Sequence, residues 1–318
     1  MITGCCENGK IFAAFWSLIQ PAFSNREKIL VNVMRKNMKI KQKRKNSNGI
    51  YLVLIAAMLF SIGGLCIKMV PWSPLAINGA RSLISVMVLA TYLKIIKHKI
   101  VINRAVLFGA VCMTGTTSLF CVANKLTTAA NAIVLQFTAP IFVILLMWVL
   151  KNEKPKKLDI LACVVVFTGI ICFFVDGLLV GNMIGNSIAV LSGICYAGVF
   201  MMNSFEKSDA ISSVFLGHAL SAVTGIGFVF AETDFGSQAI IGIILLGVFQ
   251  MAIAYIFMSK GLEQVSAITA SLTTAIEPIL NPLLVAFFWG EMISPLSLVG
   301  AAMVIVGVIG YTLIKENK

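Results

Sequence analysis

The chain has 318 residues, of which 59% are hydrophobic and 12% charged, with a mean hydropathy of +0.96. A soluble domain carries about 25% charged residues, so this composition excludes an ordinary water-soluble fold and matches long uncharged runs that span a membrane. The net charge of +12 does not point to nucleic acid, because 10 of the 25 Lys and Arg lie in the first 45 residues, ahead of the first long apolar run. A basic cluster placed there sets orientation and attracts anionic membrane lipids.

Residues 1–48 read as a basic, cytoplasmic N-terminal extension. Within it IFAAFWSLIQPAF, positions 11–23, is too short to cross a bilayer and lacks the small-residue pattern of a signal-peptide cleavage site. It reads either as an interfacial segment or as sequence ahead of a true start at Met34 or Met38, since MKIKQKRKNSNG is by itself a complete basic lead-in. Ten spans follow, near 50–69, 74–95, 105–124, 129–150, 157–175, 184–203, 211–231, 237–258, 265–289 and 297–314. At 1.5 Å per residue, about 20 residues cross the hydrocarbon layer.

Basic residues fix the orientation. With both termini cytoplasmic, 22 Lys and Arg fall inside: 10 in the N-tail, then Lys94, Lys97, Lys99, Arg104, Lys151, Lys154, Lys156, Lys157, Lys207, Lys260, Lys315 and Lys318. Only Lys68 and Lys125 fall outside, and Arg81 is the one basic residue left within a span. The asymmetry predicts ten helices with both ends inside.

An internal repeat underlies the ten. A shift of 138 positions lays residues 129–153 on 267–291, with Pro140 on Pro278 and Glu153 on Glu291, and gives 11 identities over 129–173. A shift of 136 aligns Gly49 with Gly185 and the first span with the sixth. The fold class expected is therefore all-α, with a first five-helix repeat over 49–175 and a second over 180–315. Five is odd, so the second unit enters from the opposite side. An inverted repeat of this kind is the architecture of alternating access.

The paired segments FTAPIFVILLMWVLKNEK and AIEPILNPLLVAFFWGEM, set in five plus five spans, resemble the EamA-type branch of the drug/metabolite transporter superfamily with two copies of its domain. Arg81, in NGARSLIS, matches a basic residue frequent in that family's second span, and the resemblance covers about 49–315. It implies a carrier in the cell membrane, the bacterial inner membrane or an organellar one, often an exporter of amino acids or other small metabolites and sometimes an importer. Of the acidic residue before each Pro, this chain keeps only Glu277, with Ala139 in the first copy.

The residues themselves suggest a transport path. Glu277 sits mid-span, where an unpaired carboxylate costs several kcal/mol, so it must be neutral, paired or facing a wet cavity. Thr269, Thr273, Glu277 and Asn281 recur at i+4 and form one polar stripe. Arg81, flanked by Asn78 and Ser85, forms another; it can snorkel to the interface, bond to Glu277, or grip a substrate carboxylate bidentately. Pro140 and Pro278 each free a carbonyl beside a polar residue, Gln136 or Thr274, as discontinuous helices do around a central site. The MTGTTS run of span 3 reads as packing glue, whereas Tyr196, on one face with Ser192 and Asn203, can flank an organic substrate. Asn131, His218, Gln250 and Tyr255 are weaker candidates, a lone His being more often a packed residue.

No catalytic residues are expected. The chain carries no HExxH, no P-loop and no second intramembrane carboxylate, which excludes the common intramembrane hydrolases and an ATP-driven pump. Its eight Cys show no metal-ligand spacing, so neither metal nor cofactor is expected. The expected function is secondary active transport of a small organic metabolite, with protons as one coupling partner and exchange or facilitated diffusion as the alternatives. The competing reading is a membrane receptor or assembly subunit on a transporter-like fold.

Overall fold

The computed structural model describes residues 47–63, 66–67, 69–127, 129–175, 182–289 and 294–316. The N-terminal extension with its 11–23 segment, Met34 and Met38 lies outside the described residues, as do Lys68, Glu291 and Lys318. Every described element is helical. Among the described residues eight helical segments, with Asn131–Lys151 and Ser237–Leu262 each taken as one, are long and apolar enough to cross a membrane, which makes this an all-α, multi-pass membrane protein.

In chain order the helices are α1 (Ser47–Gly63), α2 (Pro74–Ile95), α3 (Arg104–Leu126), α4 (Ala129–Gln136), α5 (Ala139–Lys151), α6 (Lys157–Phe174), α7 (Met183–Phe200) and α8 (Ala210–Val229). They continue with α9 (Ser237–Leu245), a π-helical stretch (Leu246–Ile253), α10 (Ala254–Leu262), α11 (Ala267–Thr274), α12 (Glu277–Trp289) and α13 (Pro295–Glu316). Their starts are chemically marked. Pro74 opens α2, where a missing donor costs nothing, and the side chains of Asn103, Asp209 and Ser266 accept backbone N–H bonds at the heads of α3, α8 and α11.

Two of the expected spans are not single helices. Phe137–Thr138 separates α4 from α5, and Ala275–Ile276 separates α11 from α12. Pro140 and Pro278 each occupy the second position of the new helix, where a residue without an N–H is tolerated. The breaks correspond: α11 starts 138 residues after α4, at Ala267 against Ala129, and α12 starts 138 after α5, at Glu277 against Ala139. α13 likewise starts 138 after α6, at Pro295 against Lys157, while α8 starts 136 after α2, at Ala210 against Pro74.

The expected span 237–258 runs on to Leu262 and contains the π-helical stretch, which no periodicity in this uniformly apolar run announces.

The most extensive interhelical packing joins α2 to α8, α3 to α7 and α6 to α13. Small residues permit it. A Cβ on Gly79 of α2 would lie 2.3 Å from the carbonyl carbon of Gly225 on α8, and one on Gly300 of α13 would lie 2.4 Å from the Phe173 nitrogen on α6. With no hydrophobic force acting between helices in lipid, such backbone approach supplies the packing attraction. The main core cluster runs from Val53 and Phe60 on α1 through Tyr196 and Phe200 on α7 to Tyr255 on α10 and Ile279 on α12.

Candidate functional site

Two polar clusters lie within the helical interior. The first centres on Arg81, two turns into α2 on its buried face and only 6% exposed. Its Nη2 donates to Asn78 Oδ1 at 3.0 Å and its Nη1 to Gln250 Oε1 at 3.2 Å. Gln250 belongs to the π-helical stretch, and irregularities of this kind recur at functional sites. One turn along the same face of α2, Ser85 Oγ lies 2.7 Å from Nδ1 of His218, a fully buried residue of α8. The His218 ring meets the Tyr255 ring edge-on, with centroids 5.1 Å apart.

The second cluster centres on Glu277. Breaking the helix before this residue makes it the first of α12, so its carboxylate stands at a helix N-terminus, where the dipole favours negative charge. The Tyr196 hydroxyl from α7 donates to Glu277 Oε2 at 3.5 Å, the outer limit of a hydrogen bond, and Ser61 Oγ from α1 reaches the Glu277 carbonyl at the same distance. Phe137 and Phe200 pack on the Tyr196 ring, with centroids 6.0 and 4.6 Å away. Tyr255 lies within electrostatic range of both Glu277 and Arg81 and so belongs to both clusters.

Among the described residues no carboxylate is in ion-pair contact with Arg81, so neither a bond to Glu277 nor a snorkelling position describes it. The remaining polar residues separate into those near a cluster and those bonded elsewhere. Gln136, at the end of α4, donates to Ser192 Oγ at 2.8 Å, and Ser192 donates to the Thr116 carbonyl at 3.0 Å, which ties α4, α7 and α3 together one turn from Tyr196. Thr273 donates to the carbonyl of Thr269 at 2.7 Å and Thr274 to that of Ala270 at 3.1 Å, so these hydroxyls satisfy their own helix. Asn281 is half-buried one turn beyond Glu277 on α12. Pro140 and Pro278 sit at the two breaks. Thr114 and Thr117 of MTGTTS bond across to Gly217 and Ser221 of α8, at 2.9 and 3.2 Å, as packing glue does.

His218, Gln250 and Tyr255, minor as isolated letters, acquire weight because three different helical elements bring them beside Arg81. Ser82 and the π-helical stretch carried no signal in the sequence. Of the described Cys, Cys66, Cys112, Cys121 and Cys163 are buried thiols, and no group of His, Cys, Asp and Glu among the described residues is arranged to hold a metal ion.

Polar contacts also join the loops at each end of the α2–α8 pair. Before α2, Trp72 donates its indole N–H to the Asp234 carbonyl and the Ser73 N–H donates to Glu232 Oε1 at 2.9 Å. After α2, His98 Nε2 lies 3.2 Å from Asp209 Oδ2, and Asn103 donates to the Lys207 carbonyl at 2.7 Å.

The pattern of the EamA-like transporter family matches this chain twice, over residues 47–175 and 183–313. The chain is 30% identical over 276 residues to the "Uncharacterized transporter YwfM" of Bacillus subtilis, covering 81% of this chain and 91% of that protein. An "Uncharacterized transporter" of Archaeoglobus fulgidus is 27% identical over 213 residues, 65% of this chain and 76% of its own length. A solved crystal structure 17% identical in sequence superposes with a TM-score of 0.74, covering 85% of this chain and 98% of that one, and shows the same fold. With matches over both halves and a relative alike along most of its length, this multi-pass membrane protein belongs to the EamA-like transporter family, a family of transporters rather than enzymes.

Proposed function

We propose that the protein is a secondary active transporter, an exporter of a small organic metabolite such as an amino acid or related compound, working by alternating access in the cell membrane. The observation that carries this reading is the pair of helix breaks at matched positions, one of which opens on the lone mid-membrane carboxylate Glu277. Broken helices expose backbone dipoles at membrane depth, tolerable only where protein or a water-lined path satisfies them. In this reading ten spans form two inverted five-helix units, over 49–175 and 180–315, with both ends cytoplasmic. The corresponding element starts and the 22 to 2 distribution of basic residues support it.

The substrate and proton path in this proposal comprises Glu277, Arg81, Asn78, Gln136, Tyr196, Thr273 and Asn281, with Pro140 and Pro278 marking the hinges. Glu277 exchanges a proton for substrate, and access from one side at a time lets the carboxylate load where protons are plentiful and unload where they are scarce. Thr273 and Gln136 act indirectly, since the Thr273 hydroxyl is bonded to its own helix and the Gln136 Nε2 to Ser192. The test is a metabolite-wide thermal-shift screen on purified protein, followed by flux of the hits in proteoliposomes with and without a pH gradient. Saturable flux of at least one hit is the expected result. Binding without flux would favour a receptor instead.

A further inference from the structure

Among the described residues, the buried side-chain polar atoms without a hydrogen-bond partner are Arg81 Nε, Ser82 Oγ and His218 Nε2. They belong to consecutive residues of α2 and to the helix most extensively packed on it, α8. Ser82 and His218 are fully buried and Arg81 is 6% exposed, so bulk water does not serve these groups. Leaving a buried donor unsatisfied costs about 1–3 kcal/mol, and more for a charged one.

All three can donate. In the tautomer in which the Ser85 hydroxyl donates to His218 Nδ1, the imidazole carries its hydrogen on Nε2 and donates from there, as the protonated ring also does. Asn78 and Gln250 hold the two terminal nitrogens of Arg81 through neutral oxygens and leave the Nε edge free. His218 lies within electrostatic range of the guanidinium. A full positive charge with neutral acceptors on its terminal nitrogens, together with unpartnered polar groups on the next residue of α2 and on the helix packed against it, makes a site lacking one negative charge. Among the described residues Arg81 is the only Lys or Arg more than one turn from the end of its membrane-length helix, which matches a monoanion and leaves a phosphate dianion undercompensated.

We propose that Arg81, with Ser82 and His218, forms an anion subsite that takes the carboxylate of a small organic acid or zwitterion. This rests on the transporter reading and adds the substrate class. Asn78 and Gln250 are positioning residues, and the π-helical turn is what brings the Gln250 amide to the guanidinium.

The test titrates the purified full-length protein with acetate, propionate and butyrate, with the matching amides, and with chloride, sodium being held constant with sodium sulfate, and follows thermal stability. Carboxylates should raise Tm saturably and amides should not. Arg81→Gln should abolish the response, and His218→Gln should weaken apparent affinity about tenfold or more, as loss of one hydrogen bond to a charged group does. An equal response to acids and amides, saturation by chloride in place of carboxylates, or an unchanged response in Arg81→Gln would overturn the proposal. Should Arg81→Gln fail to fold, the acid-against-amide comparison in the wild-type protein decides alone. Flux separates the two readings: transport of solutes that lack a carboxylate, without carboxylate binding, removes the subsite and keeps the transporter. Carboxylate binding with no flux of any solute does the reverse.

Discussion

Gly79 of α2 and Gly225 of α8 are in backbone contact: a Cβ on Gly225 would lie 2.6 Å from the Gly79 Cα, and one on Gly79 would lie 2.3 Å from the Gly225 carbonyl carbon. That approach places Arg81, two residues along α2, and His218, two turns back along α8, on helices that cannot separate without losing their tightest contact. The loops at the two ends of this pair are also bonded to each other, through Trp72 with Asp234 and His98 with Asp209. The Arg81 cluster therefore sits between two closed ends of one helix pair.

Gly225→Val is expected to destabilise the protein by about 1–3 kcal/mol, the usual cost of forcing extra carbons into a packed interface. Reversible denaturation in mixed micelles measures it. Gly227→Val, at a position where an added Cβ meets nothing within 4 Å, is the matched control and should be near neutral. Equal effects at both positions would mean that the α2–α8 contact does not hold the pair together.

Tyr311 and Asp159 join α13 to the first turn of α6 through a 2.7 Å hydrogen bond between residues 3% and 5% exposed. Lys315 adds an ion-pair contact to Asp159 at 3.6 Å and a bond to Ser266 at 3.3 Å, which ties in the head of α11. Tyr311→Phe should cost about 1 kcal/mol, and Asp159→Ala about 2–3 kcal/mol because it leaves a buried hydroxyl without its acceptor and takes away the carboxylate paired with a half-buried ammonium. The same denaturation assay reads both, and the order of the two losses is the discriminating outcome.

Glu277→Gln should abolish uphill, pH-driven flux in reconstituted vesicles while leaving downhill exchange measurable, because the amide preserves shape but cannot cycle a proton. Tyr196→Phe removes only a 3.5 Å contact and should reduce flux by no more than several-fold. The pH gradient and the membrane potential are set independently. Wild-type uphill flux in Glu277→Gln would end the proton-carrier role.

Reporter fusions after Lys99, Lys156, Lys207 and Lys260 are expected to report the cytoplasm, and fusions after Trp72 and Glu232 the opposite side, as the distribution of basic residues requires. A cytoplasmic signal after Glu232 would contradict the inverted arrangement of the second unit.

Much of the candidate site was legible because membrane depth makes polarity rare. Glu277, Arg81, Asn78 and Tyr196 stand out as letters in apolar runs, and the matching Pro140 and Pro278 mark the two breaks in the sequence itself. Thr273 and Gln136 stood out equally, yet their hydrogen bonds stay within the packing. A polar stripe on a helical wheel gives a direction and not a partner.

Composition, spacing and repeat by themselves determined an all-α membrane protein with two similar halves and a broken helix in each, because hydrocarbon allows few alternatives to helices and Pro leaves a fixed mark on them. Which polar groups meet was decided only by tertiary packing. Gln250 reaches Arg81 from a π-helical turn more than 160 residues away in the chain, His218 meets Ser85 across the α2–α8 contact, and Tyr255 comes within electrostatic range of both charged clusters. Those meetings depend on backbone approach at Gly79 and Gly225 and on one irregular turn, and neither leaves a periodic trace in a uniformly apolar sequence.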